Sequence, residues 1–165
     1  MNRVVLFSLF LLAFNSCQVE ECEDPIPYLE FDKFEQNGDS ANMVLIFRDC
    51  DGDFGLDVDD DAEYDPADST ATKNLFMFYN YRLNSEWVEW VPDTSLDQLP
   101  FYYTVPVIEN RSVSNTLEGE IHVDMEDGWS FFPIIYGDTF RFRMFIVDRA
   151  LNQSNEVITP IIIAN

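Results

Sequence analysis

From Thr139 to Asp148 every second residue is large and apolar: Phe140, Phe142, Met144 and Ile146 alternate with Arg141 and Arg143. In extended backbone, successive side chains point to opposite faces, so this pattern makes a half-buried antiparallel strand and cannot lay one apolar stripe along a helix. Ile121, Val123 and Met125 alternate with His122 and Asp124 in the same way. The same reading predicts strands at Tyr28–Phe34, Asn42–Arg48, Asn74–Leu83, Glu86–Val91, Phe101–Ile108, Thr116–Met125, Thr139–Asp148 and Glu156–Ile163. Turn chemistry separates them at Asn37-Gly38-Asp39, Asn84-Ser85, Asp127-Gly128, Gly137-Asp138 and Asn152–Asn155. Eight short strands over residues 28–165 predict an all-β fold, a single antiparallel sandwich of immunoglobulin-like or fibronectin-like type. The strict immunoglobulin marks are absent: no Cys pair falls on facing central strands, and Phe142 and Met144 stand where a tyrosine corner would need Tyr and Cys.

Composition bounds the function. A chain of 165 residues suits one domain, and 47% hydrophobic with 15% aromatic residues is too apolar for a disordered acidic tail. With 31 Asp and Glu against 9 Lys and Arg, the formal net charge is -22. Such a surface repels phosphate backbones and anionic headgroups, so nucleic acid is not an expected partner. One His and three Cys are too few for a closed zinc site once the first Cys is otherwise used.

The first segment reads as an address. Arg3, the apolar run Val4–Phe14 and then Asn15-Ser16-Cys17 follow the three-part order of a signal peptide, and the run is shorter than the ~18 residues of a spanning helix. Phe14-Asn15-Ser16-Cys17 resembles the lipobox of bacterial lipoproteins, in the loosened form found in Bacteroidota; an ordinary secretory peptide cleaved nearby is the alternative. The lipobox implies removal of residues 1–16, lipidation at Cys17 and attachment to a membrane through that lipid. Residues 17–27 then form a tether holding Glu20, Glu21, Glu23 and Asp24, closed by Pro25 and Pro27. Acidic residues directly behind a lipidated Cys resemble the signal for display on the outer face of the outer membrane; a charged tether also extends through its own repulsion.

Two further stretches carry a family resemblance. Arg48–Asp57 (RDCDGDFGLD) and Asp138–Asn155 (DTFRFRMFIVDRALNQSN) resemble small surface lipoproteins of Bacteroidota that share an acidic DGD loop and a DRAxNxSN hairpin. The resemblance implies a cell-surface location and an immunoglobulin-like fold, and it implies no activity.

Residues 49–68 hold ten carboxylates and no Lys or Arg. Unit charges ~4 Å apart repel by roughly 1 kcal/mol even in water, so a compact loop needs counter-charge. Calcium takes six to eight oxygens in irregular geometry, which suits Asp49, Asp51, Asp53 and Asp57 with glycines between them. The spacing follows an EF-hand in part and then departs: Phe54 stands where Gly is required, Asp60 replaces the bidentate Glu, and a strand precedes the loop. A solvated loop kept soluble by its own charge is the other reading. In a sandwich the loop shares an end with the hairpin after Thr139–Asp148, which brings Asp148, Asn152 and Asn155 toward Asp49, Asp51 and Asp53 as calcium ligands, with Arg149 offsetting residual charge. Alternatively, Asp148 and Asn152 only cap a turn. The same geometry lets Cys22 and Cys50 meet in an oxidising compartment or remain as thiols; a bond would close a loop of about 28 residues and contribute on the order of 3 kcal/mol.

No catalytic constellation is expected. His122 lies on a polar strand face with no nucleophile-elbow Ser to serve, and carboxylates are too abundant for any pair to be diagnostic. Trp87, Trp90, Tyr102, Tyr103 and Trp129 offer either core packing or a platform for sugar rings. The sequence thus leads to a non-catalytic binding or structural module, with a glycan-binding accessory lipoprotein of a polysaccharide-uptake system as the alternative. Its protein or glycan partner is not specified.

Overall fold

The structure, a computed structural model, describes residues 22–57, 73–91, 101–108, 115–125 and 129–164. The signal segment, Cys17 and the carboxylates from Asp59 to Asp68 lie outside these residues. Among the described residues, nine strands, β1 (Tyr28–Asn37), β2 (Ser40–Asp49), β3 (Leu75–Leu83), β4 (Glu86–Glu89), β5 (Tyr102–Tyr103), β6 (Leu117–Met125), β7 (Thr139–Ile146), β8 (Val157–Ile158) and β9 (Ile162–Ile163), accompany one short helix, α1 (Phe131–Tyr136). The strands form two antiparallel sheets packed as a sandwich. One has the order β1-β2-β6; the other runs β4-β3-β7-β8, with β5 added to β3 and β9 to β7.

Alternation decides which residues fill the space between the sheets. Met43, Leu45 and Phe47 on β2 face Phe140, Phe142, Met144 and Ile146 on β7, all nearly or fully buried. Their neighbours Arg141, Arg143, Glu118, Glu120 and Asp124 point to the two outer faces. Tyr79 of β3 is the hub of the wider end, its ring within 5.1 Å of Phe132, 5.2 Å of Phe140 and 5.6 Å of Phe142. Fully burying such side chains stabilises by about 1.5–3 kcal/mol each.

Six predicted strands are trimmed or divided; Asn74–Leu83 and Thr116–Met125 lose only their first residue. The stretch Glu156–Ile163 splits into β8 and β9 because Pro160 has no N–H to donate. Thr159 bridges the gap, donating its N–H to the Phe142 carbonyl at 2.9 Å and accepting the Phe142 N–H on its hydroxyl at 3.0 Å. Phe101–Ile108 keeps only a two-residue strand, since Val105 is held instead by the Asn74 side chain and Pro106 forms an isolated bridge to Leu56. Thr139–Asp148 ends as a strand at Ile146, and Glu86–Val91 at Glu89. The helix α1 falls between two turn signals and is too short to leave a 3.6-residue stripe in the sequence.

The β3–β4 turn is strained. Leu83 pairs with Glu86, so Asn84 and Ser85 form a two-residue hairpin loop, and both have positive φ, 51° and 73°. Such a turn matches the strand twist but asks for left-handed backbone at both positions; Asn tolerates it and Ser does not. Replacing Ser85→Gly should stabilise the protein by about 0.5–1 kcal/mol. Thermal unfolding followed by circular dichroism should show Tm rising by about 1–4 °C, and a fall in Tm would contradict this account of the turn.

Candidate metal centre

Two inward-facing rows run toward the same end of the sandwich and finish on carboxylates. On β2 the row Ala41, Met43, Leu45, Phe47 continues in phase to Asp49; on β7 the row Phe140, Phe142, Met144, Ile146 continues to Asp148. The alternation that buries the apolar residues therefore buries these acids too, leaving Asp49 0% and Asp148 2% exposed. Asp53 completes the set from the loop after β2. One carboxylate oxygen from each of the three lies within 4.8 Å of the others.

The loop is shaped to deliver Asp53. Gly52 has φ +77° and Gly55 φ +106°, and a Cβ at either would collide with the backbone of Asn115 or Pro106. Between them, Phe54 turns fully into the core, 5.0 Å from the ring of Phe47. Its backbone N–H donates to Asp49 Oδ2 at 2.8 Å. Phe54, which breaks the EF-hand spacing, is thus the plug that seats the loop.

Each acid is partly satisfied. Asp53 Oδ2 accepts the Ala150 N–H at 3.1 Å, and its carbonyl accepts the Arg149 N–H at 3.4 Å. Asp148 accepts the Asn152 backbone N–H at 2.7 Å and the Asn152 side-chain amide at 2.9 Å. Asp49 Oδ1 and Asp53 Oδ1 are buried without a hydrogen-bond partner. Burial pushes Asp49 up from 3.8 to about 6, with Asp51, near enough to share its proton, and Asp53 adding to the rise and the Phe54 N–H opposing it. Asp53 is also raised, first by burial and then by the charges of Asp148 and Asp51, against the Ala150 N–H and Arg149. Each pair of full charges at this range repels by roughly 3–4 kcal/mol at an effective dielectric of ~20. The three carboxylates could hold a metal ion, and a cation there would offset this repulsion at neutral pH.

The other expected ligands are placed differently. Asp51 and Asp57 occupy exposed loop positions outside the set of three. Asn152 serves Asp148 as a hydrogen-bond donor in a tight turn. Asn155 ties the hairpin to β1, accepting the Leu29 N–H at 2.9 Å and donating to the Leu29 carbonyl at 2.8 Å. Arg149 donates to the Gly55 carbonyl at 3.1 Å. Cys22 and Cys50 are joined as a disulfide with Cα atoms 5.3 Å apart, fastening the segment before β1 to the residue beside Asp49. Ser154 was not singled out by its sequence context, yet its hydroxyl accepts the Ile146 N–H at 3.0 Å and closes the ladder behind Asp148.

The aromatic residues divide. Trp129 is buried against Phe34, and Trp90 donates its indole N–H to the Tyr136 hydroxyl at 2.8 Å. Burial pushes Tyr103 up to about 12. Trp87 and Tyr102 stand half-buried on the outside of the larger sheet. His122 is exposed and contacts Glu120 at 2.9 Å. Comparison of the chain with protein families, with curated proteins and with solved structures finds no match.

The raised Asp49 gives a pH signature with a definite sign. In the presence of chelator, the folded state holds this proton more tightly than the unfolded chain, so its stabilisation is present at low pH and lost as pH rises from 3.8 through about 6. The loss amounts to about 3 kcal/mol. Asp49→Asn should remove that slope, raise Tm in chelator at neutral pH, and abolish any gain from added calcium. Melts of both proteins at pH ~5 and ~7.5 check this, and parallel pH dependences would contradict the burial of a charged Asp49.

Proposed function

We propose that this protein is a lipid-anchored module of the bacterial cell surface, a non-catalytic β-sandwich whose membrane-proximal end is stabilised by calcium. The observation that carries the reading is the trio Asp49, Asp53 and Asp148, the first and last buried and Asp53 half-buried, with two carboxylate oxygens that no protein donor satisfies. Calcium suits it better than magnesium, because calcium accepts irregular sets of carboxylate and backbone oxygens whereas magnesium demands near-ideal octahedral geometry and sheds water reluctantly. A buried position favours a structural ion over one that meets ligands directly. The strand order, with β1, β2 and β6 facing β3, β7 and β8, supports an immunoglobulin-like arrangement.

Cys17 precedes the Cys22–Cys50 disulfide by five positions, so an anchor there would set the carboxylate end toward the membrane and the β3–β4 and α1 end away from it. Among the described residues no helix is long and apolar enough to cross a membrane. A second reading, a glycan-binding accessory of a polysaccharide-uptake system, draws support from the aromatic residues Phe78, Tyr102 and Phe145, which cluster on the outer face of the larger sheet.

For an extracellular site with Kd near ~10⁻⁴ M at calcium near ~10⁻³ M, binding stabilises by roughly 1.4 kcal/mol, a shift of a few degrees in Tm. That shift should vanish in Asp53→Asn. Magnesium reproducing the whole effect at equal ionic strength would remove calcium from the account. Separately, Cys17→Ala should move the protein from the membrane fraction to the soluble fraction, and wild type and variant partitioning alike would remove the anchor.

A further inference from the structure

The two outer faces of the sandwich differ in chemistry. β6 turns Glu118, Glu120, His122 and Asp124 outward on the smaller sheet. On the larger sheet, the outward positions of β3, β4 and β7 carry Phe78, Arg82, Trp87, Arg141, Arg143 and Phe145, aligned by a register that sets Arg82 opposite Trp87 and Phe78 opposite Arg143. Three of the nine basic residues of a chain with net charge -22 thus share one face.

They are not equivalent. Arg143 lies 4.1 Å from the centroid of Phe78 and is neutralised by Glu89 at 3.0 Å and Glu156 at 2.6 Å. Arg141 and Arg82 both lie over Trp87, at 4.3 and 5.1 Å from its centroid. Among the described residues neither has a carboxylate within ion-pair distance, whereas Lys33, Arg48 and Arg143 do. Cation–π contact leaves the guanidinium edges free to donate. Two uncompensated guanidiniums held at one ring repel each other, and an anion relieves that repulsion.

We propose that Arg82, Arg141 and Trp87 form a docking site for the carboxylates of an acidic saccharide, an oligomer of uronic acid. The inference rests on the glycan-accessory reading and names its ligand class. The guanidinium fork matches a carboxylate with two parallel N–H donors, which sets register as well as affinity. Beside it on the same face, Phe78 and Phe145 lie 5.7 Å apart and Tyr102 is 5.5 Å from Phe78, offering ring surface along the path of a polymer. An acidic peptide would dock best where it could add to a sheet edge through backbone hydrogen bonds. Trp87 lies on β4, the edge of this sheet, but Arg82 and Arg141 lie on β3 and β7 inside it and meet Trp87 across the sheet's face, so the cationic site is on the face and not along the edge. The overall negative charge does not prevent approach, because the Debye length is about 8 Å at physiological salt and the acidic outer face lies beyond the ~10 Å between packed sheets.

Isothermal titration calorimetry of the full protein with a short oligogalacturonate, its methyl ester and poly-glutamate tests the site. The acid form should bind, the ester at least tenfold more weakly, and the Arg82→Gln/Arg141→Gln double variant should lose at least tenfold in affinity while keeping the wild-type Tm. Absence of binding by the acid form, or equal binding of the ester, would overturn the proposal. Undiminished binding by a double variant of normal Tm would leave the glycan-accessory reading standing and remove this site. Poly-glutamate binding with oligogalacturonate silent would replace the saccharide with an acidic peptide and equally overturn it.

Discussion

Mutual repulsion among Asp49, Asp53 and Asp148 is the constraint around which one end of this sandwich is organised. An apolar row that ends in an acid is unusual because a buried charge is costly unless paired. Here two such rows, from opposite sheets, end in acids at the same level, and a third acid is brought in by a loop. Positive charge at the centre, protons at low pH or a cation at neutral pH, would relieve the repulsion. Arg149, whose guanidinium donates to the Gly55 carbonyl, offsets only part of the charge.

The rest of that end holds the three acids in place. Phe54 fastens the loop into the core, the glycines at 52 and 55 allow it to pass close to Asn115 and Pro106, and Asn155 pins the opposite hairpin to Leu29. The Cys22–Cys50 disulfide fixes the incoming chain one residue from Asp49. On the chain-entropy estimate, closing a loop of this size contributes about 3 kcal/mol, similar to one pairwise repulsion in the cluster. Covalent and ionic restraints of comparable size therefore act on the same few residues, and the far end, with the strained Asn84-Ser85 turn and the helix α1, is held by aromatic packing around Tyr79 instead.

Much of this was legible in the chain because period two is a strong local signal. The inward rows on β2, β6 and β7 follow directly from alternation, and the same phase, counted two residues past Phe47 and Ile146, reaches Asp49 and Asp148. Three features were less legible for identifiable reasons. The division of the last strand depends on Thr159 substituting its hydroxyl for a backbone acceptor beside Pro160, which residue types alone do not announce. The helix α1 is too short for its periodicity to register. Asp51 and Asp57 look equivalent to Asp49 and Asp53 by spacing, and only the left-handed turn at Gly52, with Phe54 buried, determines which carboxylates turn inward.

The acid cluster at one end of the sandwich and the two arginines over Trp87 on the outer face are separate features. The first of these is the more fundamental, and a crystal structure grown at neutral pH with calcium addresses it most directly. The account predicts a single ion with one oxygen from each of Asp49, Asp53 and Asp148 at about 2.3–2.6 Å. An ion-free centre in which two of the carboxylates approach to about 2.5–2.7 Å, the length of a shared-proton hydrogen bond, would contradict it.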